Sequence, residues 1–314
     1  MLVSLVLLLE ISRFMGVQQD RVFLLCLFGL WPSALLFRSA TLRESFQGAM
    51  VLWSFLAVLR LRESKRFRHF VPLLLSAIFL TLLHYALLVY GTFMLVLGGY
   101  WAFSRRRGRA VRLKRWAVVA AIATLLLVSL PLARRYGGHN TLLLGGGVVE
   151  RLSRFREATS VIGGRASYGN AVQPTTAAGV ALNLPVLMFY YLFAPLPWQI
   201  ATRGDMVAGV ESLLRALLLL AAVRSALGKK GEHRERQRFG LLAFFVLETV
   251  WAVGSLNWGT AIRHRLPALG LLIVLGGPGL VRGLRAALSL LLPVRTAAAT
   301  RSRKAGAPVL HKPR

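Results

Sequence analysis

Two arginines near the end of the chain have the residue type and the position for anion binding. Arg263 and Arg265 lie in the segment NWGTAIRHRLP, directly before a long apolar stretch. The distribution of positive charge places this segment on the membrane face where basic residues are scarce. Since a charge kept near a bilayer is costly, we expect both arginines to bind an anionic substrate.

A second charged pair follows an earlier apolar stretch, in the segment RSATLRES at residues 38–45. The planar guanidinium of Arg43 suits phosphate, and Glu44 can act as a base or pair with an arginine. The same residues also fit an interfacial salt bridge at a helix start, with Ser39 or Thr41 as the N-cap. The sequence leaves both interpretations open.

Residues 134–202 form the one sizeable soluble region of the chain. Within it, GGRASYGN carries Arg165 and Tyr168, and a compact turn with an arginine and an aromatic ring can hold a phosphate and stack on a sugar. Further along, Trp198 follows two prolines and serves either as a sugar-stacking platform or as an anchor in the interfacial aromatic belt. Residues 183–205 are expected to lie along or dip into the outer membrane surface without a net crossing.

Composition indicates an all-α, polytopic helical membrane protein with about nine transmembrane helices and one sizeable external loop region. The chain has 314 residues, of which 56% are hydrophobic, and several runs approach the roughly 18 apolar residues that cross a bilayer. The net charge of +29 lies in short runs between these segments, which is typical of topology signals and contact with lipid headgroups rather than with nucleic acid. The predicted spans are 1–12, 22–37, 46–60, 70–84, 86–103, 117–132, 206–227, 239–256 and 266–292.

Clusters of basic residues predict the orientation. The densest are at residues 60–68, 105–115, 224–238 and 295–314, and the positive-inside rule places all four in the cytoplasm. Residues 38–45, a hairpin turn near His84, the long 133–205 segment and a turn at 257–265 are then external. The predicted divisions are N-terminal helices over 1–132, external re-entrant or amphipathic helices over 133–205, C-terminal helices over 206–292 and a basic disordered cytoplasmic tail over 293–314.

Two features interrupt this regular pattern. Gly276, Gly277, Pro278 and Gly279 lie inside the last apolar segment, where proline and glycine predict a kink or a break. The first segment, 1–12, has no positive leader and is short for a span, so we expect the chain to begin partway through a longer protein.

Several kinds of catalytic site are not indicated. The sequence has no phosphate-binding loop with lysine and serine or threonine, no HExxH, no paired cysteines and no nucleophile elbow. His264, between the two arginines, fits a polar neighbour better than a ligand or a base. We expect no metal and no nucleotide cofactor.

Four segments resemble a family: WPSALLFRSATLRES, RASYGNAV, YLFAPLPWQ and NWGTAIRHRLPAL. They are similar to the O-antigen polymerase-like and GT-C-like glycosyltransferases of bacterial cell-surface polysaccharide synthesis, over roughly residues 30–270. The resemblance implies an enzyme of the bacterial cytoplasmic (inner) membrane that uses an undecaprenyl-diphosphate-linked sugar, alongside other polysaccharide-assembly proteins. It nominates Arg43, Arg165, Arg263 and Arg265 for the diphosphate, Tyr168 and Trp198 for the sugar, and Glu44 as the base, with Glu150, Glu157 and Asp205 behind it.

One departure from the family keeps other functions open. GT-C enzymes carry an acidic residue in their first external loop, and no such loop precedes residues 1–12 here. A transporter or flippase for an anionic lipid-linked glycan would use the same arginines without an acid or base. A non-catalytic or truncated relative is the third alternative.

Overall fold

Helices dominate the chain in a computed structural model that describes residues 1–40, 42–64, 66–103, 166–168, 176–228 and 231–291. Over these residues the chain forms no strand, and one isolated antiparallel bridge joins Ser167 to Asn257. The predicted all-α class is confirmed. The helices are α1 Leu2–Phe14, α2 Arg21–Gly29, α3 Pro32–Ala40, α4 Leu42–Ser64, α5 Phe70–Leu83, α6 Leu88–Phe93, α7 Gly99–Phe103, α8 Ala177–Phe193, α9 Arg203–Leu227, α10 Glu232–Gly254, α11 Trp258–His264 and α12 Leu266–Leu291.

Three of the described helices are long and apolar enough to cross a membrane: Arg203–Leu227, Glu232–Gly254 and Leu266–Leu290. At about 1.5 Å per residue, a span of about 30 Å needs about 20 residues. Shorter apolar helices cover Phe67–Leu83, Tyr85–Trp101 and Ala178–Phe193. The predicted span at 117–132 lies outside the described residues.

Proline explains why the second predicted segment, 22–37, divides in two. Helix α2 ends at Gly29 and α3 begins at Pro32. Proline has no N–H to donate and disfavours a helical conformation in the residue before it, so it begins a helix more readily than it continues one. The predicted segment is therefore two helices and not one continuous helix.

The hairpin predicted near His84 is confirmed. Helix α5 ends at Leu83, and a 3-10 turn at Tyr85–Leu87 leads into the next helix. His84 has an extended backbone, and its Nδ1 accepts a hydrogen bond from the N–H of Ala86 at 3.3 Å. This side-chain cap satisfies a donor that the turn itself leaves without a helical partner.

Ion pairs gather at one end of the bundle, which we call the Arg62 end. Arg62 is buried, pairs with Glu232 and Glu235 of α10, and lies 3.9 Å from the ring centre of Trp101. Arg236, near the start of α10, pairs with Glu63, near the end of α4, at 2.8 Å. Two predicted cytoplasmic clusters, in 60–68 and 224–238, therefore meet at one end of the bundle.

The opposite end, which we call the Glu44 end, holds connections predicted to be external. Glu44 in the first turn of α4, His84 after α5 and His264 in α11 lie together there. The relative sides of these connections agree with the predicted topology.

Helix α12 forms the centre of the bundle, and its glycines allow neighbouring helices to approach closely. A Cβ on Gly276 would overlap the carbonyl oxygen of Leu218 in α9, and one on Gly277 would overlap the side chain of Leu24 in α2. Small residues serve this purpose in membrane helices because packing holds such helices together. The sequence predicts a kink or break here, yet α12 continues as a helix through Pro278.

We expect Gly276→Ala to weaken this packing. The added methyl group would overlap the backbone of α9, which has no rotatable bond that relieves the contact, so the melting temperature in detergent should fall by several degrees. Gly283→Ala is the matched control, because a Cβ at Gly283 of the same helix would have no atom of another described helix within 4 Å. Equal melting temperatures for the two variants would contradict the close contact.

Candidate functional site

The segment NWGTAIRHR folds as a short helix rather than the predicted turn. Asn257 caps α11, since its Oδ1 accepts from the N–H of Thr260 at 2.7 Å. The N–H of Trp258 donates to the carbonyl of Ala166 at 3.0 Å, and the N–H of Tyr168 donates to the carbonyl of Leu256 at 2.8 Å. Residues 166–168 thereby hold the N-terminal end of α11 in place.

Arg263 of α11 and Arg43 of α4 converge on one carboxylate. The Nε of Arg263 donates to Oε1 of Glu44 at 2.6 Å. The Nη2 and Nε of Arg43 lie 3.3 and 3.4 Å from the same oxygen. Three residues that the sequence nominates for one site are therefore brought together, although Arg263 and Glu44 are 219 positions apart.

Exposure distinguishes the two arginines of this site from the carboxylate. The side chains of Arg263 and Arg43 are 34% and 42% exposed, whereas that of Glu44 is 1% exposed. Glu44 also lies in the first turn of α4, where the helix dipole favours negative charge. Two cations around one anion leave the trio with a net positive charge, and their accessible guanidinium groups can bind an outside anion such as a phosphate.

Two histidines and a tryptophan lie next to the trio of Arg43, Glu44 and Arg263. The ring of Trp251 lies 4.1 Å from His264 and 4.6 Å from His84, measured between ring centres. Burial, with the nearby charge of Arg43, lowers the pKa of His84 to about 4. Burial, with the neighbouring His84 and Arg43, lowers the pKa of His264 to about 3. Both rings are neutral at pH 7, so the arginines supply the positive charge of the site.

Arg265 does not join Arg263. It is 2% exposed, and its Nη2 donates to the carbonyl of Ala194 at 3.0 Å while its Nη1 lies 3.4 Å from Oγ of Ser212. On a helix, two residues that are two positions apart point about 200° away from each other. Arg263 therefore faces α4 at the surface, and Arg265 faces the interior of the bundle.

The other nominated residues have different surroundings. Tyr168 is buried, and its ring stacks on that of Tyr190 at 5.9 Å between centres. Trp198 is 78% exposed, in a 3-10 turn at Pro197–Gln199 after α8, which is compatible with an interfacial anchor and with a sugar platform. Arg165 lies outside the described residues. Sugar stacking by either aromatic residue stays a prediction.

Of the carboxylates nominated after Glu44 as the base, Asp205 differs from expectation. Asp205 is buried and caps α9, accepting hydrogen bonds from the backbone N–H and the hydroxyl of Thr202, both at 2.8 Å. It also accepts from the indole of Trp258 at 3.4 Å. These contacts give Asp205 a structural role. Glu150 and Glu157 lie outside the described residues.

Sequence reasoning missed a charged group inside the bundle. Arg215 of α9 and Glu248 of α10 are 2% and 0% exposed, and Arg215 Nη1 lies 3.8 Å from Glu248 Oε1. Arg215 lies in the middle of the predicted span 206–227, which also carries Glu211 and Arg224, and Glu248 is the one charged residue of the predicted span 239–256. A charge in the middle of such a span is a functional signal, and this signal could have identified both residues from the sequence.

Comparisons of the chain with protein-family models, with curated proteins and with solved structures found no match. The geometry of the chain's own residues is therefore the basis for a functional proposal.

The two histidines make the stability of the fold depend on pH. In the unfolded chain they titrate near pH 6.5, so below that value the unfolded state binds more protons than the folded state. The free energy of unfolding should fall as the pH drops from about 6.5 toward 4, by about 1 to 2 kcal/mol per histidine at pH 5.

Thermal melts of the purified protein at pH 7 and pH 5 measure this effect. A His84→Gln/His264→Gln variant should lose less stability between the two values than the unsubstituted protein. Ser255→Ala is a suitable control, because it removes a hydroxyl 3.5 Å from His264 without removing a titrating group. An unchanged pH dependence in the double variant would show that these histidines are not the source.

Proposed function

We propose that this protein is an integral membrane glycosyltransferase or polymerase that acts on polyprenyl-diphosphate-linked sugars in bacterial cell-surface polysaccharide synthesis. The observation that carries the proposal is the convergence of Arg43 and Arg263 on Glu44 at one end of an apolar bundle. Two accessible guanidinium groups match the phosphate oxygens of such a donor, and the apolar helices suit its hydrocarbon chain. The family resemblance supplies the substrate class.

The proposed topology follows the positive-inside rule. About nine helices cross the cytoplasmic membrane, the Glu44 end faces outward, and the C-terminus is cytoplasmic. The meeting of two basic clusters at the Arg62 end, through Arg62 and Arg236, supports this orientation. Lipid headgroups and other polysaccharide-assembly proteins are the proposed partners.

In the proposed reaction, an acceptor hydroxyl attacks the anomeric carbon of the donor sugar and a glycosidic bond forms. The bond from that carbon to the diphosphate oxygen breaks, and polyprenyl diphosphate leaves with the electron pair. Arg43 and Arg263 stabilise the negative charge that grows on the leaving group. Glu44 orients both guanidinium groups, and it can accept the hydroxyl proton once the diphosphate has replaced it on Arg263.

Transport of an anionic lipid-linked glycan is the second candidate. The position of Glu44 favours it, since a carboxylate that is 1% exposed and bound by Arg263 at 2.6 Å can organise an anion site without acting as a base. A transporter would use the same arginines and would need no acid or base.

Purified protein in liposomes with polyprenyl-diphosphate-linked repeat units tests the enzyme proposal. We expect Arg263→Ala to reduce formation of new glycosidic bonds by about 100-fold or more, because a donor to the leaving group is lost. The matched control is Arg60→Ala at the Arg62 end, where a side chain of similar exposure, 38%, pairs with Glu10. Product length is read by gel electrophoresis and mass spectrometry.

The outcomes separate the candidates. Normal polymer length with Arg263→Ala contradicts the proposed diphosphate site. Movement of unchanged substrate across the bilayer, without new bonds, indicates a transporter. Arg265→Ala is not a test of the same site, since Arg265 is buried and the substitution should lower the yield of folded protein.

A further inference from the structure

Charged and phenolic side chains meet in the interior of the bundle, between helices that are otherwise apolar. We call Tyr191 of α8, Arg215 of α9, Glu248 of α10 and Arg265, which precedes α12, the inner cluster. All four are at most 2% exposed. Glu248 lies six residues before Gly254, the end of α10, which is about 9 Å along the helix. The inner cluster therefore lies below the Glu44 end and not at its surface.

Much of the hydrogen-bonding capacity of the inner cluster is not used within the described part of the chain. Both carboxylate oxygens of Glu248, Nη1 of Arg215, Nε of Arg265 and the hydroxyl of Tyr191 make no hydrogen bond of good geometry there, although the Tyr191 hydroxyl is close enough to interact with the Glu248 carboxylate. The 3.8 Å between Arg215 and Glu248 is an ion-pair distance but is too long for a hydrogen bond. Because unpaired polar groups in an apolar interior are costly, a polar ligand that pairs with them would offset that cost.

The chemistry of the inner cluster selects among ligands. Arg215, Arg265 and Tyr191 offer donors, whereas Glu248 offers only acceptors when it is ionised. A neutral hydroxyl can donate to the carboxylate and accept from the guanidinium groups, whereas an ionised phosphate can only accept and would leave the carboxylate of Glu248 without a donor. Several hydroxyl groups on one ring, as in a sugar, match this mixture of donors and acceptors.

Aromatic rings lie beside the charged groups of the inner cluster. The guanidinium carbon of Arg265 lies 5.4 Å from the ring centre of Tyr191, and that of Arg215 lies 5.9 Å from the ring centre of Trp31. The indole N–H groups of Trp31 and Trp251 also have no partner within the described residues. Amphipathic rings with a free N–H suit a sugar, which has apolar C–H faces and polar edges.

The position of the inner cluster connects it to the proposed donor site. Trp251 is three residues from Glu248 on α10 and stacks on His264 at 4.1 Å between ring centres. His264 in turn lies between Arg263 and Arg265 in the chain. One layer of aromatic side chains therefore separates the inner cluster from the arginines at the Glu44 end.

An open apolar groove of about 400 Å³ runs beside the inner cluster, between α8, α9 and α10. Leu192, Leu219 and Thr249 are among its lining residues. Leu192 and Thr249 adjoin Tyr191 and Glu248 in the chain, and Leu219 is one helical turn from Arg215. The groove therefore lies beside the inner cluster on all three helices.

We propose that the inner cluster is a saccharide-binding site, at which a neutral sugar donates a hydrogen bond from a hydroxyl to Glu248 and accepts hydrogen bonds from Arg215, Arg265 and Tyr191. The inference rests on the proposed function and adds the residues that recognise the sugar rather than the diphosphate. It also assigns a role to charges that a purely apolar bundle would not keep.

Lipid binding to the purified protein, measured by native mass spectrometry, tests this site. The two probes are polyprenyl diphosphate that carries a neutral disaccharide and polyprenyl diphosphate without a sugar. The unsubstituted protein should bind the sugar-bearing lipid about tenfold more tightly or better, as expected for one or more hydrogen bonds to charged groups. Tyr191→Phe and Glu248→Gln should remove this preference and leave the dissociation constant of the sugar-free lipid unchanged.

The variants are chosen so that loss of folding does not obscure the result. Tyr191→Phe removes a hydroxyl that makes no hydrogen bond of good geometry within the described residues, so its melting temperature should stay close to that of the unsubstituted protein. The matched control is Thr249→Val, which changes the residue after Glu248 in the chain and should keep the sugar preference. Arg263→Ala should weaken the binding of both lipids by the same factor.

Each outcome decides the inference. A sugar preference that survives in folded Tyr191→Phe and Glu248→Gln overturns it and leaves the proposed function standing. Absence of binding to both lipids contradicts the proposed function, and the inner cluster is then judged with free neutral disaccharides and tryptophan fluorescence. A fluorescence change that Glu248→Gln removes and Trp198→Phe retains supports the site, while no change with any disaccharide overturns it.

Discussion

The close contact between α9 and α12 determines where the polar residues lie. Gly276 leaves room for the carbonyl of Leu218, and Gly279 allows Ala221 to approach in the same way, so the two helices pack with their backbones nearly touching. Arg215 is three residues before Leu218, and Ser212, whose hydroxyl lies 3.4 Å from Arg265, is three residues before Arg215. The contact therefore holds Arg215 close to Arg265, where bulkier residues would separate them. Packing of this kind is effective in a membrane, where helices gain little from hiding apolar surface from one another.

Charged residues occur at three levels of the bundle, and their side chains are paired differently at each level. At the Arg62 end, Arg62 and Arg236 are paired with glutamates of neighbouring helices, which stabilises the ends of α4 and α10. At the Glu44 end, two partly exposed arginines share one buried carboxylate, so the site attracts a further anion. In the inner cluster, donors and acceptors are close together but incompletely paired. The first level is structural, whereas the other two have the properties of binding sites.

Much of this arrangement could be predicted from local patterns, and the rest depends on contacts that no local pattern encodes. Apolar runs and basic clusters correctly predict the all-helical class of the described residues, the hairpin at His84 and the grouping of Arg43, Glu44 and Arg263 on one side. The separation of Arg265 from Arg263 requires knowing that residues 258–264 are helical, because a turn would not fix their directions. Glu248 and Arg215 were overlooked because the spans around them are apolar on average. Their pairing joins two helices and is visible only once the helices are packed.

Binding of polyprenyl diphosphate and of polyprenol, its uncharged counterpart, to the purified protein isolates the role of the arginines at the Glu44 end. The two lipids share a hydrocarbon chain and differ in the anionic group. If Arg43 and Arg263 form a diphosphate site around Glu44, the diphosphate should bind at least about tenfold more tightly than the alcohol, and Arg263→Ala should abolish most of the difference. Equal affinities for the two lipids, or a difference that Arg263→Ala leaves intact, would contradict a diphosphate site at this end of the bundle.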